Sequence, residues 1–280
     1  MTTKEAFSYC KTMASHYENF PVGSLLFPAK LRDHFFSIYA FSRGADDIAD
    51  EGSLSQEERL QKLNEWDAHL QEVYDKRTSE HPVFIALADT IQRFSLKKET
   101  FQRLLSAFRQ DVTIKRYETF ENVLNYCERS ANPVGELVLS LFNQCDPKTL
   151  FYSDKICTAL QLANFWQDVT ADYEKGRVYI PHEDLSKFNV GEEDIAKKLY
   201  TVNFRDLLAF EVNRTSALFE EGEHLIPLLK GRLKTEIQWV VNSGKCVLKK
   251  ITLNDFDVLR KNNRLTAVDH MFNLAKALAM

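Results

Sequence analysis

The spacing of apolar residues limits what this chain can fold into more than any other feature of its sequence. Apolar side chains recur three and four residues apart in nearly every segment, whereas the period-two alternation of half-buried strands is almost absent. We therefore predict an all-α fold, a bundle of helices. The predicted helices cover about residues 2–17, 28–50, 55–74, 82–94, 97–114, 119–144, 149–174, 203–224, 231–254 and 264–280, with residues 175–190 as the longest irregular piece.

Length and composition indicate one globular domain. The chain has 280 residues, of which 44% are apolar, and this is enough to bury a large core. No repeat of fixed period, no low-complexity run and no linker rich in Ser, Gly and Pro marks a boundary. We therefore predict a single domain over residues 1–280.

Composition also disfavours several classes of function. The nine glycines form no G-x-G-x-x-G arrangement for a dinucleotide, and the formal charge of -4 gives no general reason to bind nucleic acid. The five cysteines form no C-x-x-C pair, which disfavours zinc and suits a reducing compartment. We find no segment like a signal peptide and no uncharged apolar run of spanning length. We expect a cytoplasmic protein without a nucleic-acid partner.

The segment YAFSRGADDIAD, residues 39–50, places acidic residues on a helix that is otherwise apolar. With Tyr39 at zero on a helical wheel, Arg43 falls at about 40° and Asp46 at about -20°. Asp50 falls at about 20°, whereas Asp47 drifts out to about 80°. A solvated face with an ion pair is one interpretation. The apolar flanks favour the other, in which these carboxylates point into a cavity and need partners.

A second acidic segment, ALQLANFWQDVTADYEKGRVYIP, occupies residues 159–181. With Gln161 at zero, Asn164 falls at about -60°, Asp168 at about -20° and Asp172 at about 20°. The other residues of this helix are mostly apolar, so a solvated face is a weaker explanation here than for the first segment.

Two acidic stripes on two long helices predict a metal site. Facing carboxylates repel each other unless cations lie between them, and oxygen ligands without nearby His or Cys select Mg²⁺ over zinc. Magnesium usually takes one or two carboxylates and completes its coordination with water and substrate phosphate. The stripes therefore predict Mg²⁺ and a diphosphate substrate.

Three segments together resemble the squalene and phytoene synthases, over most of the chain: YAFSRGADDIADE, YCERSANPVGEL and NFWQDVTADYEKGRVYIP. Within that family, HYENFPVGSLLFP, SANPVG and NFWQDV look most like the bacterial hydroxysqualene synthase branch. The resemblance implies an all-α, single-domain helical bundle of the isoprenoid (trans-prenyl) synthase type, with a central cavity and two aspartate-rich motifs.

The resemblance also implies roles for particular residues. The positions that match metal ligands are Asp46, Asp50, Asn164, Asp168 and Asp172. The substrate-binding candidates that match the family are His16, Tyr39, Arg43 and Gln161. Lys175 and Arg177, on the loop after the second motif, are candidates because their charge can hold a departing diphosphate. Tyr126 matches a tyrosine near the reacting carbons. Tyr126 and Asn132 are the catalytic candidates, because either can hold a water molecule. A structural histidine at position 16, a core aromatic at 126 and a helix cap at 132 are the alternatives.

Three positions depart from the family pattern. Gln167 stands where many relatives have an arginine before the second motif, so one diphosphate contact is lost. Asn132 places a polar amide at a site that is usually bare, and Gly244 falls where a dehydrosqualene-forming relative has a tyrosine. A site for two farnesyl diphosphates would need every cationic contact, whereas presqualene diphosphate carries a single diphosphate. The three departures therefore favour presqualene diphosphate as the substrate.

The expected reaction is conversion of presqualene diphosphate to hydroxysqualene in squalene and hopanoid biosynthesis, coupled to the enzymes before and after it. Mg²⁺ assists departure of the diphosphate, and water captures the rearranged carbocation. Condensing squalene, dehydrosqualene or phytoene synthases, NADPH-dependent squalene synthesis included, remain alternatives. A metal-dependent phosphohydrolase is the alternative of another class, although such sites commonly recruit His, which neither motif contains.

The closing segment RLTAVDHMFNLAKALAM has an apolar face on a predicted helix. Its members are Leu265, Val268, Phe272, Ala275 and Leu278. Packing on the bundle is the favoured interpretation, and weak docking on a membrane surface is the other. The second interpretation would place the protein at the inner face of the membrane.

Overall fold

The computed structural model describes residues 1–15 and 27–279, and within those residues the regular structure is helical throughout. The prediction of an all-α fold is confirmed. A 3₁₀ turn covers Glu223–Leu228. The α-helices of the described residues are α1 Thr3–Ser15, α2 Ala29–Asp50, α3 Gln56–Tyr74, α4 Pro82–Phe94, α5 Lys98–Thr113, α6 Phe120–Ser130, α7 Asn132–Leu141, α8 Pro147–Gln167, α9 Val169–Glu174, α10 His182–Lys187, α11 Glu192–Ala196, α12 Val202–Gly222, α13 Gly231–Leu253 and α14 Ala267–Leu278.

The helix predicted over residues 119–144 is two helices, so that prediction was wrong. α6 ends at Ser130 and α7 begins at Asn132. Pro133 explains the interruption, because proline has no backbone N–H to donate to the preceding turn and is tolerated only in the first turn of a new helix.

The helix predicted over residues 149–174 is also interrupted, at Asp168 between α8 and α9. The backbone of Asp168 bends, with φ -104° and ψ 18°. Its N–H still donates to the carbonyl of Asn164 over 2.9 Å, and its own carbonyl accepts from the N–H of Asp172 over 2.8 Å. The helical register of the second stripe therefore continues through the bend.

The piece predicted to be irregular, residues 175–190, contains the short helix α10. α10 begins directly after Pro181, a residue that suits the start of a helix. The last predicted helix begins later than expected, because the hydroxyl of Thr266 caps it by accepting from the N–H of Asp269. No helix among the described residues is long and apolar enough to cross a membrane.

The chain forms two compact units, which are described separately. Unit 1 comprises Met1–Thr113 and Pro133–Asp146, and unit 2 comprises Ile114–Asn132 and Pro147–Met280. The first acidic stripe belongs to unit 1, and the second belongs to unit 2. The single domain over residues 1–280 stays a prediction.

In unit 1, α2 contacts α1, α3, α4 and α5. The buried ring of Phe41 packs against the rings of Trp66, Phe84 and Phe101. A side chain at Gly44 has no room, because a Cβ there would lie 2.6 Å from the Trp66 ring. These contacts bury one face of α2 and turn the acidic face away from the core of the unit.

The C-terminal end of α2 is held by an arginine of α3. The guanidinium of Arg59 donates to the carbonyls of Ile48, Glu51 and Gly52 over 2.8 to 3.0 Å. The last carbonyls of a helix have no partner within the helix, so a cation there supplies both hydrogen bonds and favourable charge. Arg59 thereby fixes the end of the helix that carries the first stripe.

In unit 2, α8 contacts α6, α12 and α13. The indole N–H of the buried Trp166 donates to the hydroxyl of Thr215 on α12 over 2.8 Å. α13 approaches closely at Gly244, where a Cβ would lie 2.5 Å from Phe219 and 2.8 Å from Leu160. A tyrosine at position 244 would therefore require both neighbours to move.

Candidate active site

Arg43 is the centre of the first acidic stripe. Its guanidinium lies 2.8 Å from Asp46, 2.7 Å from Asp47 and 2.7 Å from Glu51. The helical wheel placed Asp47 off the face that Arg43 and Asp46 share. Asp47 nevertheless pairs with Arg43, because residues four apart on a helix are neighbours and the arginine side chain is long. Asp50, also a predicted ligand, is exposed at the end of α2.

The first stripe is partly buried rather than fully solvated. The side chain of Arg43 is 20% exposed, and those of Asp46 and Asp47 are 39% and 33% exposed. Burial raises the pKa of Asp47, although the Arg43 guanidinium opposes that change. One guanidinium shared by three carboxylates leaves the cluster negative, which suits a site that attracts further cations.

The second stripe lies on the last turn of α8 and the first turn of α9. Asn164, Asp168 and Asp172 are half-buried. Burial raises the pKa of Asp168, and the charges of Arg264 and Lys175 act in the opposite direction. Arg264 Nη2 lies 3.8 Å from Asp168 Oδ1. The sequence did not single out Arg264, because it lies almost a hundred residues further along the chain.

The donor set of the stripes fits a hard divalent cation that needs ligands from outside the protein. In the part of the chain that the structure describes, no group of three or more His, Cys, Asp or Glu side chains is arranged so that it could hold a metal ion by itself. Mg²⁺ does not require such a cage, because it commonly binds one or two carboxylates and takes its other oxygens from water and phosphate.

The residues after α9 fold back onto that helix. Gly176 has a φ of 79°, which favours glycine. Its N–H donates to the carbonyl of Tyr173, and the N–H of Arg177 donates to the carbonyl of Asp172, both over 2.8 Å. This is the Schellman pattern, and the glycine in EKGRV is its sequence signal. It holds Lys175 and Arg177, two predicted substrate contacts, beside Asp172.

A further arginine holds this turn in place. Arg116 donates to the carbonyl of Gly176 and to both carboxylate oxygens of Glu192, the latter over 2.6 and 2.8 Å. No local sequence signal singles out Arg116. A forked guanidinium can bridge a carboxylate and a backbone carbonyl at once, so it fixes the turn more firmly than a single hydrogen bond would.

Tyr126 belongs to a cluster of four aromatic rings in unit 2. Its ring centroid lies 5.7 Å from that of Tyr117, 6.1 Å from Phe165 and 6.0 Å from Tyr179. The rings of Phe165 and Tyr179 stack at 3.7 Å with an angle of 5° between their planes. Tyr117 and Tyr179 were not predicted. Their segments pair through backbone hydrogen bonds, such as the one from Val178 to Lys115.

Asn132 is buried at the start of α7, and its amide oxygen accepts a hydrogen bond of 3.0 Å from the hydroxyl of Thr158 on α8. Thr158 precedes Phe165 by seven residues, so both project from about the same face of α8. The Asn132–Thr158 pair and the ring cluster therefore lie along one side of the helix that carries the second stripe.

The predicted residues divide between the two units. Tyr39 is half-buried on α2, four residues before Arg43, and Gln161 is half-buried on α8, one turn before Asn164. The amide of Gln167 donates to the backbone carbonyl of Asn263 over 2.9 Å. His16 lies outside the described residues.

Comparison with known proteins identifies the family. The sequence model of the squalene/phytoene synthase family matches residues 13–269. The chain belongs to the squalene/phytoene synthase family. The match covers both acidic segments and the segment that contains Tyr126 and Asn132, so the motifs that resembled the family lie inside it.

Individual members of the family are similar along most of their length. A phytoene synthase of Arthrospira platensis is 27% identical over 274 residues, covering 93% of this chain and 88% of that protein. A hydroxysqualene synthase of Sinorhizobium fredii is 30% identical over 269 residues, covering 95% of this chain and 90% of that protein. The crystal structure of squalene synthase HpnC from Alicyclobacillus acidocaldarius matches with a TM-score of 0.86 and a sequence identity of 38%. The match covers 91% of this chain and 95% of that chain. The fold is therefore the all-α fold of the isoprenoid synthases.

Proposed function

We propose that this enzyme converts presqualene diphosphate and water to hydroxysqualene and inorganic diphosphate. The likeness to a protein named hydroxysqualene synthase and to one named squalene synthase HpnC supports the proposal. Phytoene synthases are similar as well, so the choice of reaction depends on residues that handle the carbocation.

The observation that carries the proposal is the buried Asn132–Thr158 pair. It supplies an amide and a hydroxyl on the side of α8 that also holds Phe165, a member of the aromatic cluster. A reaction that ends by loss of a proton needs a proton acceptor, whereas the part of Asn132 that Thr158 leaves available, Nδ2, is a donor. A reaction that ends by addition of water needs a group that orients the water molecule.

The first step is departure of the diphosphate. Mg²⁺ would neutralise the developing charge of the leaving group. We assign metal binding to the oxygen ligands of each unit separately, which are Asp46 and Asp50 in unit 1 and Asn164, Asp168 and Asp172 in unit 2. Arg43, Lys175 and Arg177 contact phosphate oxygens, because a guanidinium or ammonium beside a departing anion stabilises it. Tyr39, Gln161 and His16 hydrogen-bond the substrate without adding fixed negative charge.

The second step is rearrangement of the cation and its capture. The π faces of Tyr126, Phe165 and Tyr179 stabilise positive charge, and their bulk keeps stray water away. One water molecule, oriented by Asn132, forms the new carbon–oxygen bond and loses a proton. No reductant is consumed, because the product keeps the oxygen.

The substrate must come from a condensing enzyme, and a reductive enzyme must act on the alcohol to give squalene.

Product analysis tests the proposal. The enzyme is incubated with Mg²⁺ and either farnesyl diphosphate or presqualene diphosphate, with and without NADPH, and the products are identified by mass spectrometry. Hydroxysqualene from presqualene diphosphate alone supports the assignment. A hydrocarbon formed from two prenyl diphosphates would instead assign a condensing squalene, dehydrosqualene or phytoene synthase. Release of phosphate with no new carbon skeleton would assign a phosphohydrolase.

A further inference from the structure

The residues on either side of Asp168 hold a distant segment of unit 2 against the second stripe. Gln167 donates from its amide to the carbonyl of Asn263 over 2.9 Å. Thr170 donates from its hydroxyl to the carbonyl of Leu259 over 3.4 Å. These bonds join parts of the chain about ninety residues apart in sequence, so residues 259–264 are packed against the second motif.

The buried Asn263 fixes the conformation of this segment. Its side-chain oxygen accepts from the amide of Asn254 over 2.7 Å, and its amide donates to the carbonyl of Lys261 over 3.0 Å. A buried side chain with both polar atoms engaged holds its backbone firmly, because breaking either bond would leave a polar group without a partner away from water.

The backbone of Arg264 is held on both sides. Its N–H donates to the side-chain oxygen of Asn262 over 2.9 Å, and its carbonyl accepts from the ammonium of Lys250 over 3.2 Å. Its side chain, in contrast, is 70% exposed, with Nη2 3.8 Å from Asp168 Oδ1. The guanidinium thus stands beside the second motif while most of it faces solvent.

We infer that Arg264 supplies the diphosphate-binding guanidinium that position 167 lacks, and that Gln167 is a positioning residue that holds the Arg264 segment in place. The inference rests on the proposed function, since it concerns the same leaving group. A planar guanidinium carries a positive charge and can donate two parallel hydrogen bonds to phosphate oxygens. A glutamine side chain carries no charge, so it cannot take over this role. The simpler alternative is that Arg264 only neutralises Asp168.

Gln167 has a different role in the structure from the one that its place in the sequence suggests. The sequence suggested that glutamine here removes a cation from the second motif. In the structure, the glutamine anchors the segment that brings a different arginine to the same motif. With Arg264 beside the second motif, Gln167 no longer argues for one diphosphate over two, so that choice rests on the Asn132–Thr158 pair.

Binding of inorganic diphosphate in the presence of Mg²⁺ tests the inference without any turnover. Isothermal titration calorimetry compares the full chain with Arg264→Gln, Arg264→Lys and Lys261→Gln. Lys261→Gln is the matched control, because it removes one positive charge from the same segment. We expect Arg264→Gln to weaken binding about tenfold or more, Arg264→Lys to weaken it less, and the control to stay within about twofold of the parent. Circular dichroism melting verifies that each variant is folded.

A double-mutant cycle tests the positioning role of Gln167. Gln167→Ala should weaken diphosphate binding in the parent but not in Arg264→Gln, because the two residues act through one contact. Gln167→Arg in the Arg264→Gln background should recover binding by placing a guanidinium at the motif.

Each outcome decides between the inference and its alternatives. If the Arg264→Gln variant binds diphosphate as tightly as the Lys261→Gln variant does, the role of Arg264 is overturned. The proposed function is unaffected by that result. An equal effect of Gln167→Ala in both backgrounds would overturn the positioning role. A parent enzyme that binds no diphosphate with Mg²⁺ would overturn the inference, whereas the product analysis decides the proposed function.

Discussion

The hydroxyl of Thr158 donates a hydrogen bond of 3.0 Å to the side-chain oxygen of Asn132, and both side chains are buried in unit 2. This bond fixes which way the amide points. With its oxygen engaged by Thr158, the Nδ2 group is the part of Asn132 that can donate elsewhere. A water molecule that accepts from Nδ2 keeps a lone pair for attack on a carbocation.

The first prediction concerns this pair. Thr158→Val keeps the shape of the side chain but removes the donor, so the Asn132 amide loses its fixed orientation. We expect less alcohol and more elimination product at similar substrate consumption. Thr158→Ser retains the hydroxyl and should retain the parent product ratio. Gas chromatography with mass spectrometry measures the ratio, and ¹⁸O-labelled water must label the alcohol.

Asn132→Ala separates the catalytic role from a structural one. A positioning role predicts the same change of product ratio as Thr158→Val. A cap at the start of α7 predicts a lower melting temperature with an unchanged ratio, and that result would remove Asn132 from the mechanism.

The second prediction concerns the metal. Asp46→Asn and Asp168→Asn each remove one negative charge from an oxygen ligand, so each should lower the rate on the order of 10²-fold or more. Asp33→Asn is the control, because Asp33 is an exposed carboxylate on the same helix as Asp46. Steady-state kinetics with varied Mg²⁺ measures the effect, and full turnover in EDTA would refute the metal assignment.

The third prediction concerns Arg43, which contacts three carboxylates in the first stripe. Arg43→Lys keeps the charge but loses the planar fork, so kcat/KM should fall by an amount equivalent to roughly 1–3 kcal/mol. Arg32→Lys, at another site on α2, is the control. If the Arg43→Lys enzyme has the kinetics of the parent, Arg43 serves only as an ion-pair partner.

The fourth prediction concerns the buried Glu211, which shares Arg214 with Asp184. Burial raises the pKa of Glu211 from 4.5 to about 8, with Asp184 adding to the effect and Arg214 opposing it. Between those values the unfolded chain loses this proton and the folded protein keeps it. The contribution of Glu211 to the free energy of unfolding therefore falls as pH rises through that window.

Glu211→Gln replaces the titratable carboxyl group with an amide that does not ionise. We expect the loss of stability between pH 5 and pH 8 to shrink, by on the order of a few kcal/mol in the free energy of unfolding. Urea unfolding at the two pH values measures it. An identical pH dependence in the variant and the parent would show that Glu211 is already ionised in the folded protein at pH 5.

The fifth prediction concerns α14. This helix packs on α13 through the buried Asn273 and Ala277. Its apolar face is on the outside: the side chains of Val268, Met271, Phe272 and Leu278 are 63 to 74% exposed. Packing on the unit thus leaves the predicted apolar face uncovered. We propose that this face makes a weak contact with a membrane surface, as an amphipathic helix with exposed large apolar side chains does.

Vesicle flotation tests the contact. Phe272→Ser should reduce the fraction of protein that floats with vesicles containing anionic lipid. Val202→Ser is the matched control, because Val202 is a similarly exposed apolar residue at the start of α12. Equal flotation of the two variants and the parent would exclude a membrane role for α14.

The sequence by itself determined the features that depend on near neighbours. The three- and four-residue spacing of apolar side chains predicted the helices, because burying one face of a helix requires that spacing. The distance from Arg43 to Asp46 is one helical turn, so their ion pair followed from the same geometry. The stripe of Asn164, Asp168 and Asp172 was predictable for this reason too, and it survives the bend at Asp168.

Only the tertiary structure decided which side chains from distant segments meet. Thr158 contacts Asn132 across 26 positions, and Gln167 reaches Asn263 across 96. Neither contact has a local signal, since each depends on how helices and loops pack after they have formed. Gln167 shows the consequence: the sequence indicated the loss of a cation, whereas packing places Arg264 beside Asp168. A helical pattern specifies the face that a side chain occupies, but the partner on that face is set by long-range packing.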